Sequence, residues 1–145
     1  MKIILNLISI ALYLAVGVIS FKMAINNLFA KEYLGFHKKA TKKSWAEVDQ
    51  SMQYVIIFLM RLTGLGFLMT AILLIVFPIV NLFAPSFVGT FLTPLVALVF
   101  CFGLFVSNYS LYKKSSANTP WHASLIASGL ILFGLLLSII SNIVY

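Results

Sequence analysis

Residues 62–112 contain no Asp, Glu, Lys or Arg, and a single charge, Arg61, stands at the entrance to the run. A helix rises ~1.5 Å per residue and a hydrocarbon core is ~30 Å thick, so about 20 residues cross it once. Fifty-one uncharged residues suffice for two crossings. Residues 3–21, bounded by Lys2 and Lys22, supply another, and residues 121–144 a fourth. At 62% hydrophobic and 9% charged residues, with a mean hydropathy of +1.09, the chain has more apolar surface than a soluble domain of 145 residues could hide. The fold predicted is all-α: a polytopic membrane protein, one domain over 1–145, an antiparallel bundle of four transmembrane helices. The spans are placed at about 3–22, 54–80, 87–112 and 121–144, with a cytoplasmic loop over 23–53.

Met1-Lys2 ahead of an apolar run has the outline of a signal peptide. The run exceeds the usual h-region of ~7–15 residues and no small-x-small cleavage site follows it, so it is expected to stay as the first span. Asn6, Ser9, Tyr13, Val16 and Ser20 recur there at steps of three and four with Gly17 alongside, which predicts one face turned to other helices. Thr63, Gly66 and Thr70 make a similar series in the second span. Pro78, Asn81, Pro85 and Ser86 are read as the turn after it. The third span carries Pro94 in its first turns and Thr93, Ala97, Cys101, Leu104 and Asn108 along one face. In the fourth, Ser124, Ala127, Ile131, Gly134, Ser138 and Ser141 follow a 3.5-residue repeat, after Thr119 as N-cap and Pro120 at the first helical position. Small residues let helices approach closely in lipid, where burial of oily surface gives little drive for association.

The polar segment 23–53 keeps apolar residues at helical spacing as far as Phe36, which predicts an extended first helix or an interfacial helix breaking near Gly35. Lys38, Lys39, Lys42 and Lys43 form a basic turn, and Ser44-Trp45-Ala46-Glu47 fits a capping box that starts the second helix near Trp45. Eight basic residues fall in the first and third loops, against Lys2 on the other side. The positive-inside rule then places both termini outside the cytoplasm, in a multi-pass protein of the cell inner membrane. Trp45, Tyr54, Tyr109, Tyr112 and Trp121 make an aromatic belt at the headgroup level, where Lys38, Lys39, Lys42, Lys43, Trp45 and Trp121 are the expected lipid contacts. The net charge of +7 therefore points to anionic headgroups and away from nucleic acid. The lone Cys101 excludes an intrachain disulfide and reads as a packing residue.

Arg61 has two readings: an anion or substrate site within the bundle, or a guanidinium reaching back to phosphates from a shallow depth. His37, Glu47, Asp49 and His122 map to the same rim, where imidazoles and carboxylates could act together on a headgroup. Their spacing matches no metal-ligand pattern, Glu47 is engaged by the cap, and Asp49 suits a first helical turn. With Asn108 these residues complete the candidate polar site: Arg61, His37, Glu47, Asp49, His122 and Asn108. No cofactor is expected, and no Gly-rich phosphate loop, zinc-protease or nucleophile-elbow motif occurs.

The stretch 37–66, with its H-x7-W-x-E-x-D opening and M-R-L-x-G-x-G continuation, resembles a group of uncharacterised bacterial four-helix membrane proteins. Residues 61–66, an arginine followed by glycines near the start of a span, resemble DoxX-like small membrane proteins. The first likeness implies no activity. The second implies an accessory role in redox or stress-related membrane complexes, and this chain lacks a redox cysteine pair. His37, Trp45, Glu47, Asp49 and Arg61 are the positions that match. The function expected is a structural or accessory subunit, with lipids, a second copy or another membrane protein as partners. An oligomeric small-solute transporter or channel component, and a lipid-headgroup enzyme at the rim, are the rivals.

Overall fold

The computed structural model describes residues 2–143, and among them it contains helices and no strand. Helix α1 covers Lys2–Leu28, α2 Gly35–Thr41, α3 Gln50–Phe83, α4 Thr93–Ser115 and α5 Trp121–Ile143, with a single 3-10 turn at Trp45–Glu47 and a π-helical turn at Val88–Leu92. Four segments are long and apolar enough to cross a membrane: Lys2–Leu28, Gln50–Phe83, Val88–Ser115 and Trp121–Asn142.

Contacts at the helix ends fix an up-and-down order. Asn27 near the end of α1 packs beside Gly64 early in α3, and the Asn81 amide late in α3 donates to the Thr90 hydroxyl before α4 at 3.0 Å. Asn108 late in α4 donates to Ser124 early in α5 at 3.4 Å, and Ser141 late in α5 donates to the Lys2 carbonyl at 3.2 Å. Successive long helices are therefore antiparallel. The broadest interfaces join α1 to α3, α1 to α5 and α4 to α5, while α3 meets α4 more lightly.

The expected faces of α1, α4 and α5 point inward. Ser9, Tyr13, Val16, Gly17 and Ser20 are buried on α1, Thr93, Ala97 and Cys101 on α4, and Ile131, Gly134, Ser138 and Ser141 on α5. At mid-depth Tyr13, Val16, Leu74, Ala97, Cys101 and Ile131 form one closed apolar cluster. Glycines set the helix spacing: a β-carbon on Gly17, beside the cluster, would lie 2.6 Å from Ile75, and one on Gly64, at the end of α1, would lie 2.9 Å from Leu28. On α3 the inward series is Met60, Gly64, Ala71, Leu74 and Pro78, with Thr70 also buried. Gly66 faces α4 instead, where the Phe100 ring occupies the space its side chain would fill. The outer faces are largely apolar, with Phe58, Leu65, Val99 and Phe133 among many exposed side chains and Arg61 among the few polar ones. That arrangement suits lipid as solvent.

Several boundaries differ from expectation. Pro78 and Asn81 lie within α3, which runs to Phe83, so the turn is confined to the residues just after it. A proline inside a helix forfeits one hydrogen bond, and the buried packing of Pro78 holds the helix through that loss. The chain leaves α1 after Leu28, before Gly35, because Tyr33 is drawn away to donate to the Lys43 carbonyl and to pack on Trp45 with ring centroids 5.0 Å apart. Gly35 begins α2 rather than ending a helix. Lys38 and Lys39 lie on α2, and Lys42 closes it in the left-handed region at φ 57°, so the basic cluster is a short helix and not a turn. The Ser44–Glu47 capping box is present, with the Ser44 N–H donating to the Glu47 carboxylate at 2.6 Å, yet it opens only one 3-10 turn. The second long helix starts five residues later than Trp45, capped by Asp49, which accepts from the Ser51 N–H at 3.1 Å.

Candidate functional site

At the lysine-rich end, α2 lies across the mouth formed by α1, α3 and α4. Beneath it is a cavity of about 320 Å³ whose polar lining includes Asn27, His37, Thr63, Ser107 and Asn108. Two of the residues singled out from sequence, His37 and Asn108, thus share a wall. The Leu34 N–H donates to His37 Nδ1 at 3.2 Å, which satisfies a free amide at the start of α2 and leaves the ring proton on Nε2. Burial lowers the pKa of His37 below its ordinary value of 6.5, so the imidazole is neutral at physiological pH. Asn108 is committed to helix packing: its side chain donates to Ser124, and its carbonyl accepts from the Thr119 hydroxyl at 2.8 Å. Thr119, expected to cap α5, is directed across to α4, and α5 begins at Trp121 after Pro120.

The remaining candidates lie elsewhere. Glu47 and Asp49 are exposed, and local donors hold both carboxyls below their usual range, the Ser44 backbone N–H for Glu47 and the Ser51 hydroxyl for Asp49. Neither lines the cavity under α2. Arg61 is exposed on the outer face of α3, one residue beyond the buried Met60 and three before the buried Gly64. It is directed to the surroundings of the bundle and not into it. His122 is exposed and stacks on Trp121 with centroids 3.4 Å apart. Trp121 also packs against Tyr109 at 5.3 Å and Tyr112 at 6.0 Å, while Lys113 sits 5.1 Å over the Tyr109 ring. Of the expected belt, these three form one cluster and Trp45 joins Tyr33 in another. Lys38, Lys39, Lys42 and Lys43 edge a shallow open depression on the outer side of α2. That gives α2 a cationic outer side, while Phe36 and His37 line the cavity within. Among the described residues no three His, Cys, Asp or Glu side chains come together as a metal-binding group.

A second cavity, of about 150 Å³, lies at the opposite end, bounded by Asn6, Tyr13, Asn81, Thr90, Ser138 and Asn142 among others. Sequence reasoning picks out Asn6, Tyr13 and Ser138 as inward-facing but does not join them to Asn81, Thr90 and Asn142. The signal available is three asparagines within otherwise uncharged apolar spans, each near a helix end. The closed cluster of Val16, Leu74 and Ile131 lies at mid-depth, and no residue lines both cavities. The arrangement can hold uncharged polar groups at either end. Among the described residues the Thr63 and Ser107 hydroxyls that share the larger cavity with His37 donate to the carbonyls of Leu59 and Gly103 on their own helices, and no hydrogen bond joins either to the imidazole.

Comparison with protein-family models, with curated proteins and with solved structures gives no match. The class defined by fold and site is a small helical-bundle protein with four helices able to span a membrane.

Proposed function

We propose that this protein is a structural or accessory subunit of a membrane assembly, held in the cell inner membrane with its lysine-rich end toward the cytoplasm. The observation that carries the reading is the filled middle of the bundle. Leu74, Ala97 and Ile131 are 0% exposed, and the polar cavities lie on either side of them. A carrier needs polar groups along its path, and here they are concentrated at the ends. A rim enzyme needs acid and base converging on a substrate, whereas Glu47 and Asp49 are engaged as local caps. The excess of lysines in the first and third loops supports the orientation. The likeness of residues 61–66 to DoxX-like proteins agrees with an accessory place beside a larger complex. Anionic lipid at α2 is the expected surrounding, at ~1 kcal/mol for each lysine near a charged leaflet.

Photo-crosslinkers placed in native membranes at exposed outward positions on each long helix, Ile19, Phe58, Val99 and Phe133, test this. Crosslinks to protein from at least one face are expected, and crosslinks to lipid alone from all four would overturn the reading. A reporter fused after Tyr145 should be active only outside the cytoplasm. The second reading, an oligomeric carrier for a small solute, draws on the cavities at both ends. Solute flux through proteoliposomes containing only this chain would favour it over the first.

A further inference from the structure

The cavity under α2 is lined in two tiers. Helices α1 and α4 run toward the lysine-rich end and α3 runs away from it, so four residues back on α1 or α4, or four on along α3, is one turn deeper, about 6 Å. Asn27, Thr63 and Asn108 line the upper tier, and Met23, Phe67 and Leu104, each one turn deeper on the same helix, line the floor. The remaining polar lining, His37 and Ser107, belongs to the roof and to the position next to Asn108. Below the floor the closed cluster of Val16, Leu74 and Ile131 ends the space.

The protein satisfies the upper tier only in part. Asn27 is 4% exposed, and its carboxamide donates one N–H to the Met23 carbonyl at 2.8 Å. Its side-chain oxygen receives no hydrogen bond among the described residues, yet keeps surface that a water can reach, and the space beside it is this cavity. Asn108 is arranged alike, with an N–H on Ser124 at 3.4 Å and its side-chain oxygen unbonded. The Thr63 and Ser107 hydroxyls give their protons to the Leu59 and Gly103 carbonyls, at 2.9 Å each, and keep lone pairs to accept with. The donors on offer are the second N–H of each carboxamide and the His37 Nε2–H, since the Leu34 N–H already occupies Nδ1. The lining contains no Asp, Glu, Lys or Arg. A hydroxyl both donates and accepts, and so meets this mixture. An ether oxygen would leave the acceptors unmet, and an ion would lose its hydration with no opposite charge to replace it.

We propose that the cavity binds a neutral amphiphile with a hydroxyl head, the hydroxyl at the tier of Asn27, Thr63 and Asn108 under the His37 roof and the apolar body on Met23, Phe67 and Leu104. The volume of about 320 Å³ equals that of about ten waters at ~30 Å³ each and falls at the small end of ligand pockets, so the body is of medium length. The binding does not depend on whether the chain is a subunit of a larger assembly.

Photolabelling of the full chain in phosphatidylcholine nanodiscs, whose lipid carries no hydroxyl, tests the proposal. Three probes share one diazirine-bearing octyl chain: the alcohol, its methyl ether and the carboxylate. Label is mapped by mass spectrometry, and label on the outward residues Phe58, Val99 and Phe133 measures how much of each probe enters the bilayer. Scaled to that measure, the alcohol should label the cavity residues about fivefold more than either comparator, the worth of one ordinary hydrogen bond. Asn27→Leu removes the most buried acceptor with little change of shape and should bring the alcohol down to the level of the ether. Thr63→Val keeps the shape of its side chain, carries the test if Asn27→Leu does not fold, and should lower the alcohol's cavity label about twofold. Cavity label from the alcohol no greater than from the ether or the carboxylate would overturn the proposal. So would alcohol label undiminished in Thr63→Val or in a folded Asn27→Leu.

Discussion

The two ends of the bundle hold polar groups in opposite ways. Where α3 turns into α4, glycines, prolines and asparagines are locked by short-range bonds into a tight wall, and each β-carbon added at Gly89 or Gly134 would collide within 2.7 Å. At the lysine-rich end a seven-residue helix, α2, roofs a cavity twice the size through a few aromatic and hydrogen-bond contacts, and a β-carbon added at Gly35, its first residue, would meet nothing within 4 Å. Close packing resists change in volume, and loose roofing responds to charge. The same sequence therefore places a rigid end and a responsive end on one set of helices.

The sharpest break of that contrast is Gly134→Ala, expected to destabilise by about 1–3 kcal/mol because the Tyr13 ring must move out of its place. Gly103→Ala, which meets open space on α4, should be neutral or stabilising by under about 1 kcal/mol. Thermal unfolding of both in one detergent compares them, and equal losses would remove the claim of a tight end.

The roof over the larger cavity should depend on pH. Burial lowers the His37 pKa, so the undocked α2 takes up a proton more readily than the docked one. Docking is complete above the ordinary value of 6.5 and weakens as pH falls through it toward the lowered value. Hydrogen exchange at α2 amides, corrected for intrinsic rates, should therefore be faster at pH 5 than at pH 7.5, and His37→Gln should flatten the difference. An unchanged profile in that variant would assign the dependence to another group. Smallest of all, Arg61→Leu should alter stability in micelles by less than about 0.5 kcal/mol, since the side chain lies outside the bundle. A larger loss would show an interior partner for the guanidinium.

Helix number, order and most inward faces were legible because steps of three and four put Ser9, Tyr13, Val16 and Ser20 on one stripe whatever surrounds them. Chain breaks were less so. Pro78 reads as a breaker in sequence, but its packing inside the bundle offsets the lost bond; Ser44 and Glu47 form their box, but nothing local says how far the helix beyond it will run. Of the candidate site, only His37 and Asn108 come together, because α2 folds back over the cavity through the distant contacts of Tyr33 with Lys43 and Trp45. The smaller cavity was illegible for a related reason: it is a gap among three helices and a turn, and spacing along one helix does not record a gap.

Unequal helix lengths carry one more consequence. With 34 residues α3 is about 51 Å long, and with 23 residues α5 is about 35 Å. Two parallel helices of such different reach in one bundle do not fit a flat slab of uniform thickness symmetrically. Either α3 leans or its polar first turn stands further out of the slab than the end of α5, and in both cases the two sides of the bundle present different heights.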